Sequence, residues 1–185
     1  MFRNLFLVLV SEPAERVVHA DDLSSTTIVP VTSAEEGAAV AAASEWDLVE
    51  LYGGLGLDAA AAVVAALVDA APGVPVGFPG DVGPSPSPVV LFEDPAADQE
   101  KHRWRFGSTT VIAVPSTDEV PALAARLAEE GATRIELCGG MGPVPAAAVR
   151  AVVDVPVTTV LFGFESLPSA AAYRARFEAS LTTHD

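Results

Sequence analysis

The sequence predicts an α/β protein made of two tandem βαβαβ-type units, with parallel sheets and helices packed on them, arranged as a pseudo-two-fold fused dimer. Three observations predict it. First, the chain repeats itself. Ser25-Thr26-Thr27-Ile28-Val29 matches Ser108-Thr109-Thr110-Val111-Ile112, Glu50-Leu51-Tyr52-Gly53-Gly54-Leu55-Gly56 matches Glu136-Leu137-Cys138-Gly139-Gly140-Met141-Gly142, and Val74-Pro75-Val76 matches Val155-Pro156-Val157. The three matches fall in the same order in both halves. Second, β-branched stretches alternate with alanine-rich ones, the pattern of parallel strands joined by helical crossovers. Third, the strand stretches are nearly all apolar, as strands covered on both faces must be.

Each unit opens on an apolar strand, Asn4–Val10 or Pro88–Phe92. A short, partly helical connection leads to a β-branched strand, Thr26–Val31 or Thr109–Val114. Ser33-Ala34-Glu35-Glu36 and Ser116-Thr117-Asp118-Glu119 then read as capping boxes, in which serine accepts from a helix N–H and glutamate reaches back. Alanine-rich helices follow to about Glu45 and Glu130. Leu48–Tyr52 and Arg134–Cys138 read as strands running into the glycine loops. Second helices start near Asp58 and behind Pro145, and last strands at Val74 and Val155. An extra helix, roughly Ser169–Ser180, closes the second unit.

The units span 1–80 and 88–185, with 81–87 as linker inside the proline- and glycine-rich run Gly80–Pro88. Eight strands also suit a small (βα)8-like barrel of two half-barrels. The chain is short for that fold, and its mid-point crossover has no helix.

Half of the residues are hydrophobic, which excludes a disordered chain. The net charge of −15 argues against nucleic acid and anionic membranes, both of which need a basic surface. Basic groups are scarce before residue 100, where only Arg3 and Arg16 occur, and cluster at Lys101, Arg103 and Arg105. The single cysteine, Cys138, forbids an intrachain disulfide, and the apolar run Leu5–Val10 reads as a strand and not as a signal peptide. The expected location is cytoplasmic.

The Gly-Gly-x-Gly loops are the strongest local signal. Glycines at a strand-to-helix turn bring backbone N–H groups close to a ligand, beside a positive helix end. Gly53, Gly54 and Gly56, with Gly139, Gly140 and Gly142, are therefore candidate anion-binding residues, and tight turns without a ligand are the alternative. Glu136 and Glu50 precede the loops. A carboxylate inside a strand covered on both faces lacks water, and burial raises its pKa into the range of a general acid or base. Such a group equally fixes a turn by accepting from loop N–H groups.

His102 and His19 stand 83 residues apart, the offset that relates Thr109 to Thr26, and His with Glu makes an acid–base pair near neutral pH. An exposed histidine on a short helix is the plainer reading; His184 lies at the C-terminus. Cys138 stands where the first unit has Tyr52, and is either a nucleophile with lowered pKa or a small buried hydrophobe. Zinc on His102, Glu136 and Cys138 matches no metal-motif spacing, so no metal site is assigned. Arg103, in Lys101-His102-Arg103-Trp104-Arg105, either clamps an acidic ligand or pairs with acid groups of the first unit.

The loop Ile135-Glu136-Leu137-Cys138-Gly139-Gly140-Met141-Gly142 and the stretch Asp94-Pro95-Ala96-Ala97-Asp98-Gln99-Glu100-Lys101-His102-Arg103 resemble an uncharacterised family of short bacterial proteins, domain of unknown function family 6506. The likeness covers roughly 90–165 as one whole member and the first unit as a more diverged one, which implies a tandem version of a single-unit protein. In the first unit Tyr52 replaces the cysteine, and only His19 remains of the Lys-His-Arg run. The family loop often places a histidine after its last glycine, where this chain has Leu57 and Pro143. The resemblance implies no reaction.

Two functions follow as expectations. One is a site for a small anionic metabolite, phosphorylated or carboxylated, bound or transformed at the Gly-Gly-x-Gly loops. Glu136 would act there as acid or base, with His102 as its partner. The other is a non-catalytic assembly or regulatory binding module with a decayed site. The sequence specifies no cofactor, leaves open whether the protein is an enzyme, and allows a monomeric pseudo-dimer or a homodimer.

Overall fold

The computed structural model describes residues 1–80 and 82–181; His184 and Asp81, at the head of the linker, lie outside them. The chain forms two separate sheets with helices packed on them, and no closed barrel. The half-barrel alternative is thereby set aside.

The first half runs β1 (Phe2–Leu9), β2 (Val17–Ala20), β3 (Ser24–Val31), α1 (Ala34–Ala42), β4 (Leu48–Tyr52), α2 (Leu57–Ala70) and β5 (Val76–Phe78). The second half runs β6 (Pro88–Glu93), β7 (Arg103–Phe106), β8 (Thr109–Val114), α3 (Val120–Glu129), β9 (Arg134–Leu137), α4 (Pro143–Arg150) and β10 (Val157–Thr159). Then come β11 (Leu161–Phe162) and α5 (Leu167–Leu181). The first sheet is ordered β11-β5-β4-β1-β3-β2 and the second β10-β9-β6-β8-β7. In both, the central pairs are parallel, and β2 and β7 are antiparallel edge strands.

These edge strands correct the expected helical connection between the first two strands of each unit. Val17 and Val18 pair with Ile28 and Thr27, and Trp104 pairs with Val111. β-branched and aromatic side chains favour this extended pairing over a short helix. His19 therefore sits on a strand.

Helix starts follow local chemistry. Ser33 accepts from Glu36 N, whereas Glu36 reaches past it to the backbone and hydroxyl of Thr32. In the second half Ser116 accepts from Asp118 N and opens a 3-10 turn, Thr117–Glu119. There Glu93 on β6, and not Glu119, accepts from Thr117. Proline at the first turn starts α4 at Pro143, ahead of the expected Pro145, because its missing N–H costs nothing there.

Alternation along β1 divides the core. Leu5 and Leu7 face α1 and α2, in a cluster with Ala41, Val63 and Leu67. Phe6, Val8 and Val10 face the other way and join a cluster with Val90, Phe92 and Val114 of the second half. Phe6 and Phe92 meet edge to face at 5.2 Å. The two sheets thus pack against each other, with α1 and α2 on the outer face of the first.

The C-terminal segment returns to the first sheet. β11 pairs antiparallel with β5, and the Ser166 hydroxyl accepts from Val76 N. On α5, Tyr173 and Phe177 pack on Phe2, Tyr173 donates to Asn4 Oδ1, and Arg176 pairs with Asp47. The helix expected to close the second unit lies on the first.

Candidate functional site

The two glutamates lie between the sheets and are almost wholly buried, Glu50 at 2% exposure and Glu136 at 0%. Each crosses to the opposite half. Gly53 N donates to Glu136 Oε2 at 2.8 Å, and Gly139 N donates to Glu50 Oε1 at 3.1 Å. Every glycine turn is closed by the carboxylate of the other half.

The turns are shaped for this exchange. A Cβ on Gly139 would come within 2.7 Å of Glu50 Oε1, so only a bare backbone admits the carboxylate. Gly53 has φ +74°, and a Cβ there would also meet the Leu9 backbone at 2.7 Å.

The two carboxylates have different company. Glu136 accepts from Arg134 Nε at 2.7 Å on the same strand face. Arg134 Nη2 is 2.5 Å from the same oxygen, aligned for ion pairing and not for a hydrogen bond. Arg134 Nη1 donates to Gly83 O at 2.8 Å, which ties the guanidinium to the connecting segment. Glu50 accepts a hydrogen bond from the Tyr52 hydroxyl. By strand register Leu48 stands where the second half has Arg134, so Glu50 has no equivalent cation.

Burial pushes the Glu50 carboxyl up to about 7, against the opposing hydrogen bonds from Tyr52 and Gly139. Burial also raises Glu136, opposed by the Arg134 charge and the Gly53 amide. Tyr52 lies well above an ordinary phenol through burial and the neighbouring Glu50 charge. Cys138 is buried, and burial with the Glu50 charge pushes its thiol up to about 12. A nucleophilic thiolate with lowered pKa is not what this environment makes; neighbouring backbone N–H groups of Gly140 and Met141 oppose the rise without reversing it.

The histidines form a second cluster in the same interface. His19 Nε2 is 2.5 Å from Asp94 Oδ2, across the two halves, and both side chains are nearly enclosed. His102 lies beside it at 4.5 Å between ring centroids, and Trp104 packs at 5.3 Å from His19. Asp98 N donates to His102 Nδ1 at 3.0 Å, which leaves Nε2 to carry the proton of the neutral ring. Phe6 and Phe92 stand between this cluster and Tyr52, so His102 partners His19 and Trp104 and not Glu136.

Asp94 escaped the sequence reading as a site residue. No local pattern marked it, and its equivalence to Val10 shows only in the fold, where Asp94 N and Val10 N each donate one residue past their strands, to Val114 O and Val31 O. The two positions are equivalent, and an acid replaces an aliphatic at only one of them. Arg103 pairs with Glu130 of its own half at 3.1 Å, not with acids of the first unit, and Lys101 pairs with Asp98. Surface hollows are present among the described residues. One of about 100 Å³ is lined by Arg103, Arg105, Glu130 and Thr110, and one of about 310 Å³ by Arg134, Thr133, Thr158 and the connecting segment. Glu50, Glu136, His102, Cys138 and the glycine turns line neither. Among the described residues no group of three or more His, Cys, Asp or Glu could hold a metal ion, and no helix is long and apolar enough to cross a membrane.

Fold and site define a class: a two-sheet α/β protein whose halves interlock through buried carboxylates. Residues 87–175 match the profile of a family of unknown function (DUF6506), so the second half carries the likeness. No curated protein and no solved structure matches the chain.

Proposed function

We propose that this protein is a non-catalytic binding or assembly module, a duplicated unit fused into one chain, whose glycine turns are structural. The reciprocal closure of the turns by Glu136 and Glu50 carries the reading. An anion cradle needs amides that await a ligand, and here Gly53 N and Gly139 N already hold carboxylates supplied by the chain. The bare backbone at Gly139 has the same explanation, since it makes room for Glu50. Loss of symmetry fits decay of an older site: Arg134 against Leu48, Cys138 against Tyr52, Asp94 against Val10. The −15 charge argues for partners other than nucleic acid or anionic membranes. The single unpaired cysteine argues for the cytoplasm.

The test is thermal shift against a broad panel of phosphate esters and organic acids at near-millimolar concentration. A ligand present at 100 times its Kd adds about 2.7 kcal/mol of stability, well within detection. The expected outcome is no stabilisation that depends on the glycine turns. A ligand that raises the melting temperature of the wild type but not of Glu136→Gln overturns the reading.

One observation favours a second function, binding or turnover of a small anionic metabolite at this interface. The His19–Asp94 contact beside His102 is the pairing by which a carboxylate orients an imidazole for proton transfer. It predicts a panel ligand whose stabilisation is lost in His19→Gln and kept in Glu136→Gln. A ligand insensitive to His19→Gln removes it.

A further inference from the structure

At the glycine turns the interface between the halves holds two buried carboxylates, Glu50 and Glu136, and one cation. Glu136 has Arg134, at 2.5 Å. The groups that face Glu50 are the Tyr52 hydroxyl on its own strand, the Cys138 thiol and Gly139 N from the end of β9 and its turn, and Tyr173 from α5. None of these is a cation. Phe162 of β11 crowds the same turn, within 2.8 Å of where a Gly139 Cβ would stand, so the space is closed to water on that side.

From this geometry we propose that the Glu50–Gly139 contact is a pH-operated latch between the two halves, closed while Glu50 holds its proton and released when the proton leaves. Two neutral donors, Tyr52 and Gly139 N, favour the anion. Taking an ion out of water costs several kcal/mol, and no counterion repays it here. Desolvation wins, in accord with the upward direction of the Glu50 titration. Opening the turn at Gly139–Gly142 lets water reach the new charge. The second contact, Glu136–Gly53, keeps the Arg134 cation, which opposes the effect of burial, so release comes first at Glu50.

Cys138 is the natural reporter, because it is the only cysteine, is buried, and immediately precedes the turn. Its labelling rate in the full chain, relative to a free cysteine peptide at the same pH, measures how often the turn opens. For a carboxyl near 7 when closed and near 4.5 when open, opening rises on the order of thirtyfold between about pH 5.5 and 8.5. Glu50→Gln should show a much smaller rise with pH, the part that Glu136 contributes. Tyr52→Phe removes one donor to the anion and should carry the rise to higher pH. Constant protection in the wild type overturns the latch, as does an equal rise in Glu50→Gln, which would assign the dependence to other groups. If Glu50→Gln fails to fold, a Tyr52→Phe profile identical to the wild type is the overturning result.

Discussion

At the scale of the residue, the decisive fact is that one carboxylate has a guanidinium and its counterpart has a phenol. Removing one member of a buried ion pair leaves the other charge stranded, at a cost of about 3–5 kcal/mol. Glu136→Gln should therefore lower stability by roughly 3 kcal/mol in urea denaturation, since Arg134 then keeps only its backbone acceptors. Adding Arg134→Leu, which copies Leu48 of the first half, should recover part of that loss and yield a positive coupling in a double-mutant cycle. Strictly additive losses would show that the two side chains do not act as a pair. Gly139→Ala should cost about 2 kcal/mol or more, because its methyl meets the Glu50 carboxylate, whereas the positive-φ Gly131, with open space around its Cβ position, bears only the backbone penalty of about 1 kcal/mol. Equal losses at the two glycines would contradict the closure described above. The sequence disclosed the glutamates, the glycines and the histidine pair, through repetition. It could not disclose that Glu50 serves Gly139 and Glu136 serves Gly53, because both contacts cross more than 80 residues of chain.

At the scale of the element, most strands and helices were legible because their cause is local. Alternation, β-branching and N-cap serines act within a few residues, so Thr109–Val114 and Leu48–Tyr52 emerge with the bounds expected of them. The edge strands β2 and β7 were missed, since four-residue strands draw their stability from a neighbour and not from their own pattern. The placement of α5 was also out of reach. Its alanine content marks a helix, but only Tyr173 and Phe177 identify the surface it covers, and that surface is Phe2, far away in sequence. Phe177→Ala should cost about 2 kcal/mol at this half-buried site, below the usual range for a core aromatic. Tyr173→Phe should cost about 1 kcal/mol by leaving Asn4 Oδ1 without its donor. Melting temperatures within error of the wild type in both variants would show that α5 does not hold the first sheet.

At the scale of the molecule, one core joins the halves, so they should unfold together. Trp46 lies in the first half and Trp104 in the second, and they are the only tryptophans. Variants that retain one tryptophan each should report the same midpoint in denaturant; two separate midpoints would show independent halves. Stability should also fall with pH. Glu50 moves from 4.5 in the open chain to about 7 in the fold, so the folded state holds a proton that the unfolded state has released. Stability from this group is full below about pH 4.5 and is lost as pH rises to about 7, a change on the order of 3 kcal/mol. Glu136, also raised, acts with the same sign. A urea midpoint that stays level or increases across that window would contradict the assignment of Glu50.

By itself the sequence determined the order of the central strands and the main helices, the matching motifs and the residues that stand out against an apolar background. These depend on periodicity and on backbone preferences that operate over a turn or a strand. Only the tertiary structure decided that the sheets face each other, that each glycine turn receives a carboxyl group from the opposite half, and that His19 meets Asp94. Those contacts join residues remote along the chain, and their energies come from removing water at an interface that forms only when both halves are folded together.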